Sequence, residues 1–319
     1  MRNLFPLFVC GVLATACVDN DYDLSKVNTD NIAIGDETSR FEAPMARVYV
    51  SMQDLNSNDG VRIDAIFDEA DTWLPTRLPD EDANGSYADV QRLVNDHAYV
   101  NDQLLPELLA QMTTDAAKLE AVAALLQEKY YDDFAGMLPG VSQAEFKTAF
   151  IEAYSTDETL RGLLGEEVRK LANDYLTTLD VNMNDLSYDI ERIDLSNEVV
   201  NMLCDNLDPA ETPDPKNTLH LAGNIDNRLP LTLRIAPDFL TTRVSFTTDI
   251  AANSAENPLP ETRLLADDLR SIVRGITVRI PVAIEKYYPG KGFDKVSDQE
   301  TQIRIDLHLI KRGALKFDL

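Results

Sequence analysis

Asp64, Asp68, Glu69 and Asp71 lead up to Trp73, the single tryptophan of the chain. Paired carboxylates beside an aromatic ring are the equipment of a glycoside hydrolase or a sugar-binding protein. Asp68, Glu69, Asp71 and Trp73 are therefore the candidate ligand-binding set. A hydrolase needs its two carboxylates about 5–9.5 Å apart across the sugar. On a helix, however, Asp64 and Asp68 share one face and merely repel. The plainer reading is an acidic helix ended by a buried Trp anchor.

A second constellation runs from Asp180 to Glu191. Asp180, Asn182 and Asn184 fall at positions 1, 3 and 5 of a twelve-residue calcium loop, with Glu191 at position 12. The pattern departs where it is strictest, because position 6 is Asp185 instead of the turn-forming Gly and position 8 is the polar Ser187. Leu179, Val181 and Met183 also alternate as in a strand, so strand and turn is the preferred reading and bound calcium the alternative.

Three histidines complete the inventory. His220 and His308 each sit between leucines at strand spacing, so both point to the wet face, and they could share a metal only if their strands are neighbours. His97 stands in a helical or turn segment without a partner. Cys204 lies in an apolar run and reads as a buried, inert thiol. A Gly-rich phosphate loop, a GxSxG elbow, HExxH and CxxC are all missing from the sequence, so no catalytic residue is assigned.

The elements that must position these residues fall into two styles. From about Ser86 to Thr178 the apolar period is helical. Leu104, Leu105, Leu108, Leu109 and Met112 share one face, and Leu119, Val122, Leu125, Leu126 and Tyr130 another. Asp115 follows Thr113-Thr114 as a cap. Ser142–Glu145 and Ser155–Glu158 have capping-box spacing, while Gly136, Pro139, Gly140 and Gly165 are expected to break helices. After Leu179 the period becomes two: Leu229 to Ile235, Ile276 to Ile284, Ile303 to Leu309 and Leu315 to Leu319 alternate as half-buried strands. Short helices are expected at Leu264–Val273 and near Ser196–Leu203, and a surface loop at 208–215. Alternation at Ile32/Ile34 and at Val48, Val50 and Met52 adds two early strands. If these join the late sheet, the helices become an insertion.

The expected fold is α+β: a helical bundle region followed by, or inserted into, an antiparallel β-sheet or sandwich. Its segments are 32–85 (mixed strand and loop), 86–178 (helical) and 179–319 (antiparallel β). The formal charge of −26 excludes nucleic acid as a partner. From Arg270 onward, ten Lys/Arg face six Asp/Glu, so this +4 end follows a body carrying −30. The two could attract each other, although two solvated faces is the preferred reading.

The amino-terminal residues are the most specific part of the chain. Met1-Arg2-Asn3 is followed by the apolar run Leu4–Val9, then Leu13-Ala14-Thr15-Ala16-Cys17. A basic start, a short apolar core and small residues before a cut make an export signal over residues 1–16. Cys17 directly after the small residues gives it the form of a lipobox, with the ordinary secretory signal as the alternative. The apolar core is shorter than the roughly 20 residues a membrane span needs. Cys17 is thus expected to carry a diacylglyceryl group and an acyl chain, with 17–31 as an acidic tether. Several chains together anchor a protein effectively permanently, at about 0.8 kcal/mol per buried CH₂. With Cys10 cleaved off and Cys17 acylated, only Cys204 remains, and no internal disulfide is expected.

Cys17 followed by Val18-Asp19-Asn20-Asp21-Tyr22-Asp23-Leu24-Ser25-Lys26-Val27 resembles the start of outer-membrane lipoproteins of Bacteroidales. Asn227-Arg228-Leu229-Pro230-Leu231 is similar to sheet segments of the same kind of protein. The resemblance implies an outer-membrane anchor. The acids after Cys17 favour the cell surface, and Val18 and Asn20, which interrupt them, leave the periplasmic face as the alternative. It carries no activity and no cofactor beyond the lipid. The expectation is a non-enzymatic binding or structural component of the envelope, whose protein or glycan partner is open. The alternative is a surface carbohydrate-binding or glycan-degrading protein.

Overall fold

The computed structural model describes residues 30–55, 62–179, 186–193, 195–293 and 300–318. In chain order the elements are β1 (Asp30–Ile34), β2 (Arg40–Ser51), α1 (Met52–Leu55), α2 (Ile63–Trp73), β3 (Asp80–Asp82), β4 (Gly85–Asp89) and α3 (Val90–Asn95). A π-helical turn, Tyr99–Leu104, leads into α4 (Leu105–Thr114), α5 (Ala116–Lys129), α6 (Tyr131–Phe134), α7 (Gln143–Thr156) and α8 (Glu158–Thr177). Then come β5 (Leu186–Ile190), α9 (Asn197–Cys204), β6 (Thr218–Asn227), β7 (Leu231–Ile235), β8 (Asp238–Phe239), β9 (Thr248–Ile250) and β10 (Ser254–Leu264). The chain closes with α10 (Ala266–Arg274), β11 (Ile276–Ile280), β12 (Val282–Tyr287), β13 (Thr301–Arg312) and β14 (Leu315–Asp318). Antiparallel sheets and helices make this an α+β fold, as the periodicities require.

The early strands do join the late ones. β1 pairs with β14, and β2 pairs with β13 from Arg40↔Arg312 to Ser51↔Thr301. The helices from α2 to α8 are therefore inserted between strands of one β body. The principal sheet has the order β10-β6-β13-β2. Both of its edges carry proline, Pro258 and Pro260 on one side and Pro44 on the other, where a missing N–H costs no ladder bond. Its apolar face (Val48, Ile225, Ile305) shares a cleft with that of the three-stranded sheet β5-β11-β8 (Ile190, Val278, Phe239), giving a sandwich. At Gly223 the strands come so close that an added Cβ would lie 2.4 Å from the Asp306 carbonyl oxygen.

Five expectations are corrected. The alternation from Ile276 to Ile284 reads as one strand. Pro281 instead divides it, and β11 and β12 enter different sheets because a proline has no N–H to continue a ladder. Gly165 does not break a helix: α8 runs through it, with Leu109 and Tyr154 at ordinary contact distance beside it. The cap expected at Ser155 sits at Asp157, whose Oδ1 accepts from the Thr159 and Leu160 N–H groups, so α7 extends through Thr156. A helix, α2, occupies part of the stretch read as strand and loop, and Met52 begins α1 instead of extending β2.

Other local signals correspond to local structure. Glu145 accepts from the Ser142 N–H and hydroxyl at the start of α7, and Asp115 accepts from Ala117 and Lys118 at the start of α5. In the Asn227–Leu231 phrase, buried Asn227 donates to the Leu231 and Ala251 carbonyls and accepts from the Leu229 N–H, which pins the β6–β7 turn. A single apolar cluster extends from the helices into the sheets. Phe67 of α2 joins them, tilted against Tyr287 and stacked on Phe293.

Candidate functional site

The carboxylate–tryptophan set lies on α2, where the helical period divides it between two environments. Ile63, Phe67, Ala70 and Trp73 form the buried stripe. The Trp73 ring is fully buried, with Tyr130 edge-on at 5.7 Å, and so offers no face to a sugar. Glu69 is buried as well. Its Oε1 accepts from the Tyr130 hydroxyl (2.6 Å) and from Trp73 Nε1 (3.4 Å), and its Oε2 is ion-paired with Lys129. Both oxygens are thus consumed in fastening α2 to the end of α5. Burial, reinforced by the hydrogen bond to Glu69, pushes the Tyr130 phenol well above its ordinary range.

Asp71 faces the other way, toward the loop after β12, and the charge of Asp68 is near enough to act on it. The carboxylate of Asp71 accepts from the Gly290 N–H (3.2 Å) and is pushed up by burial, against the opposing hydrogen bond with Tyr287. Asp64 is held below its ordinary value by the Arg62 guanidinium, 2.9 Å away. A catalytic or sugar-binding reading of Asp68, Glu69, Asp71 and Trp73 is corrected on this geometry. The ring is enclosed and Glu69 is committed to internal partners.

One residue of this region carries no sequence signature. Lys118, on α5, is buried, and its Nζ donates to the carbonyls of Asp71 (2.9 Å) and Leu74 (2.5 Å). It thereby closes the C-terminal end of α2, where carbonyls lack helical partners. Burial pushes its ammonium down to about 8, against the pull of Asp71 and Asp115.

The structure does bring the strands of His220 and His308 together. β6 and β13 are neighbours, with His220 opposite Ile310 and His308 opposite Ala222, so the two imidazoles are diagonal on one face. His308 Nε2 lies 3.3 Å from Glu42 Oε1. His220 Nδ1 is buried without a partner, and the ring is pushed below its ordinary value by burial, then by Arg312 and Arg263. Cations on both sides oppose a bound metal, and no group of three or more His, Cys, Asp or Glu among the described residues is arranged to hold one. His97 is exposed ahead of the π-helical turn, its carbonyl accepting from Asn101.

Asp180, Asn182 and Asn184 lie outside the described residues. Loop positions 7–11 are β5, paired residue for residue with β11. Glu191 therefore leaves a strand, whereas a calcium loop of this type delivers its position-12 Glu from the start of a helix, which favours the strand-and-turn reading at that end. Cys204 is free and buried beside the Ala266 carbonyl, and burial pushes its thiol up, as suits an inert group. The Tyr188 hydroxyl, in the cleft between the sheets, is buried without a partner and pushed up to about 12. The cleft's free volume of about 30 Å³ there is room for one water.

Cys17 lies outside the described residues, and no described helix is long and apolar enough to cross a membrane. Comparison with protein-family models, curated proteins and solved structures finds no match for this chain.

Proposed function

We propose that the mature protein begins at Cys17, carries a diacylglyceryl group and an acyl chain there, and serves as a non-enzymatic binding or structural component of the outer membrane. The cell surface is the preferred face. The observation that carries this reading is Leu13-Ala14-Thr15-Ala16-Cys17 behind a short apolar run. The folded body is compatible with it. Twelve residues separate Cys17 from β1 and reach at most about 40 Å when extended, which suits a tether. The strongly acidic body would be repelled by anionic headgroups, so a covalent anchor, not surface charge, must hold it at a membrane.

The test is pulse-labelling with and without globomycin, which blocks lipoprotein signal cleavage, alongside a Cys17→Ala variant. The precursor should accumulate with the drug, and the variant should leave the membrane fraction. Protease shaving of intact cells then reports the face. Normal processing in the presence of the drug would end the reading.

A further inference from the structure

The hairpins α4–α5 and α7–α8 meet turn against turn, and they leave a hollow of about 260 Å³. Packed interiors hold few voids larger than a water, and a dry cavity of about 150 Å³ is enough for benzene in another protein. Met112, Leu119 and Ile151 form the apolar side of the hollow. It opens past Thr113, Ala116 and Ser155, all exposed.

Arg161 stands at its rim. Its Nε donates to the Tyr154 carbonyl (2.6 Å) and its Nη2 to the Ser155 carbonyl (2.9 Å), so the guanidinium is clamped to the end of α7. Those bonds occupy one side of the fork. Nη1 makes no hydrogen bond or ion pair among the described residues, in a chain whose acids outnumber its bases 55 to 29. The nearby hydroxyls of Thr113 and Thr114 donate backwards to Leu109 and Ala110 and so are unavailable as donors. Of the neighbouring acids, Asp115 and Asp157 are turned into the first-turn N–H groups of α5 and α8, and Glu158, one turn before Arg161, makes no ion pair with it among the described residues. Capping the end of α7 accounts for Nε and Nη2, but not for a pre-positioned, unpaired Nη1 beside an open apolar hollow.

We propose that this hollow binds a small carboxylate with an apolar body of about ten non-hydrogen atoms, its carboxylate on Arg161 Nη1 and its body against Met112, Leu119 and Ile151. The site is independent of the membrane anchor, so either reading can fail without the other.

Calorimetric titration of the full chain with phenylacetate, and with phenylacetamide as the neutral isostere, tests this. Wild type should bind phenylacetate at least about tenfold more tightly than the amide, because a hydrogen bond between charged groups exceeds a neutral one by that much. Arg161→Met should erase the difference. Ala116→Trp, at the exposed mouth, should abolish binding of both probes with the far-UV spectrum and unliganded Tm unchanged. Failure of wild type to bind phenylacetate, equal binding of the two probes, or binding that survives Ala116→Trp would each overturn the proposal. The wild-type comparison and the mouth variant decide the matter even if Arg161→Met does not fold.

Discussion

The ammonium of Lys118 sits where α2 ends, and its contacts give stability a distinctive pH dependence. Its pKa is about 8 in the fold, below the ordinary value of 10.5, so the folded protein favours the neutral amine. The unfolded chain binds more protons between those values, and the stability contributed by this group therefore rises with pH across that window and is lowest below pH 8. Relative to Lys118→Met, wild type should gain about 2 kcal/mol between pH 8 and pH 10, read from urea unfolding of the two proteins side by side. The raised tyrosines are common to both and cancel. A pH-independent difference would show that the ammonium keeps its ordinary pKa. The burial of Trp73 was legible in sequence, because its spacing from Phe67 and Ala70 makes a helical stripe. Lys118 and Arg161 were not legible, because each is held by backbone carbonyls, and a carbonyl acceptor leaves no mark on residue type. The partners of Lys118 come from a helix 44 and 47 residues away.

Elements were read best where the signal and its partner lie within one turn. Ser142 and Glu145 find each other across three residues, and Asp115 caps the helix that follows it. Ser155 failed as a cap because Asp157 stands two residues on with a carboxylate that reaches the same kind of N–H groups. Glycines show the same limit, since their sequence signal is identical whether the neighbour is solvent, side chain or backbone. At Gly165 an added Cβ meets only Leu109 and Tyr154 side-chain atoms, at 3.8 Å or more, within ordinary contact. Gly165→Ala should thus stabilise the protein by about 0.5–1 kcal/mol through helix propensity. At Gly223 the obstacle is the Asp306 backbone, which cannot rotate away. Gly223→Ala should cost on the order of 2 kcal/mol or more by forcing β6 from β13. Thermal melting of the two variants checks both signs, and a destabilised Gly165→Ala would mean that the space beside α8 is tighter than the 3.8 Å separation gives.

At the scale of the whole molecule, charge and hydrophobicity divide the labour differently from the linear sequence. The basic carboxy-terminal end meets acids of the body in several ion pairs, among them Lys286 with Asp82, Arg304 with Asp226 and Arg312 with Glu261. Their side chains stay partly exposed, between 16% and 47%, and such solvent-reached pairs contribute little each, so the charge asymmetry does not hold the fold together. What holds it is the shared apolar cluster, together with the closure of β2 onto β13 across the helical insertion. Sequence periodicity could show that helices and strands each have an apolar face. It could not show that the two kinds of face meet, because Phe67 and Tyr287 are 220 residues apart. The consequence is cooperative unfolding. Trp73 reports on the helical insertion alone, whereas the amides of β6 and β13 report on the sheet. If the cluster is energetically as well as geometrically continuous, the loss of Trp73 fluorescence and the loss of amide protection in β6 and β13 should share one urea midpoint. An earlier transition at Trp73 would mean that the insertion melts as a separate unit and that its contact through Phe67, Tyr287 and Phe293 carries little coupling.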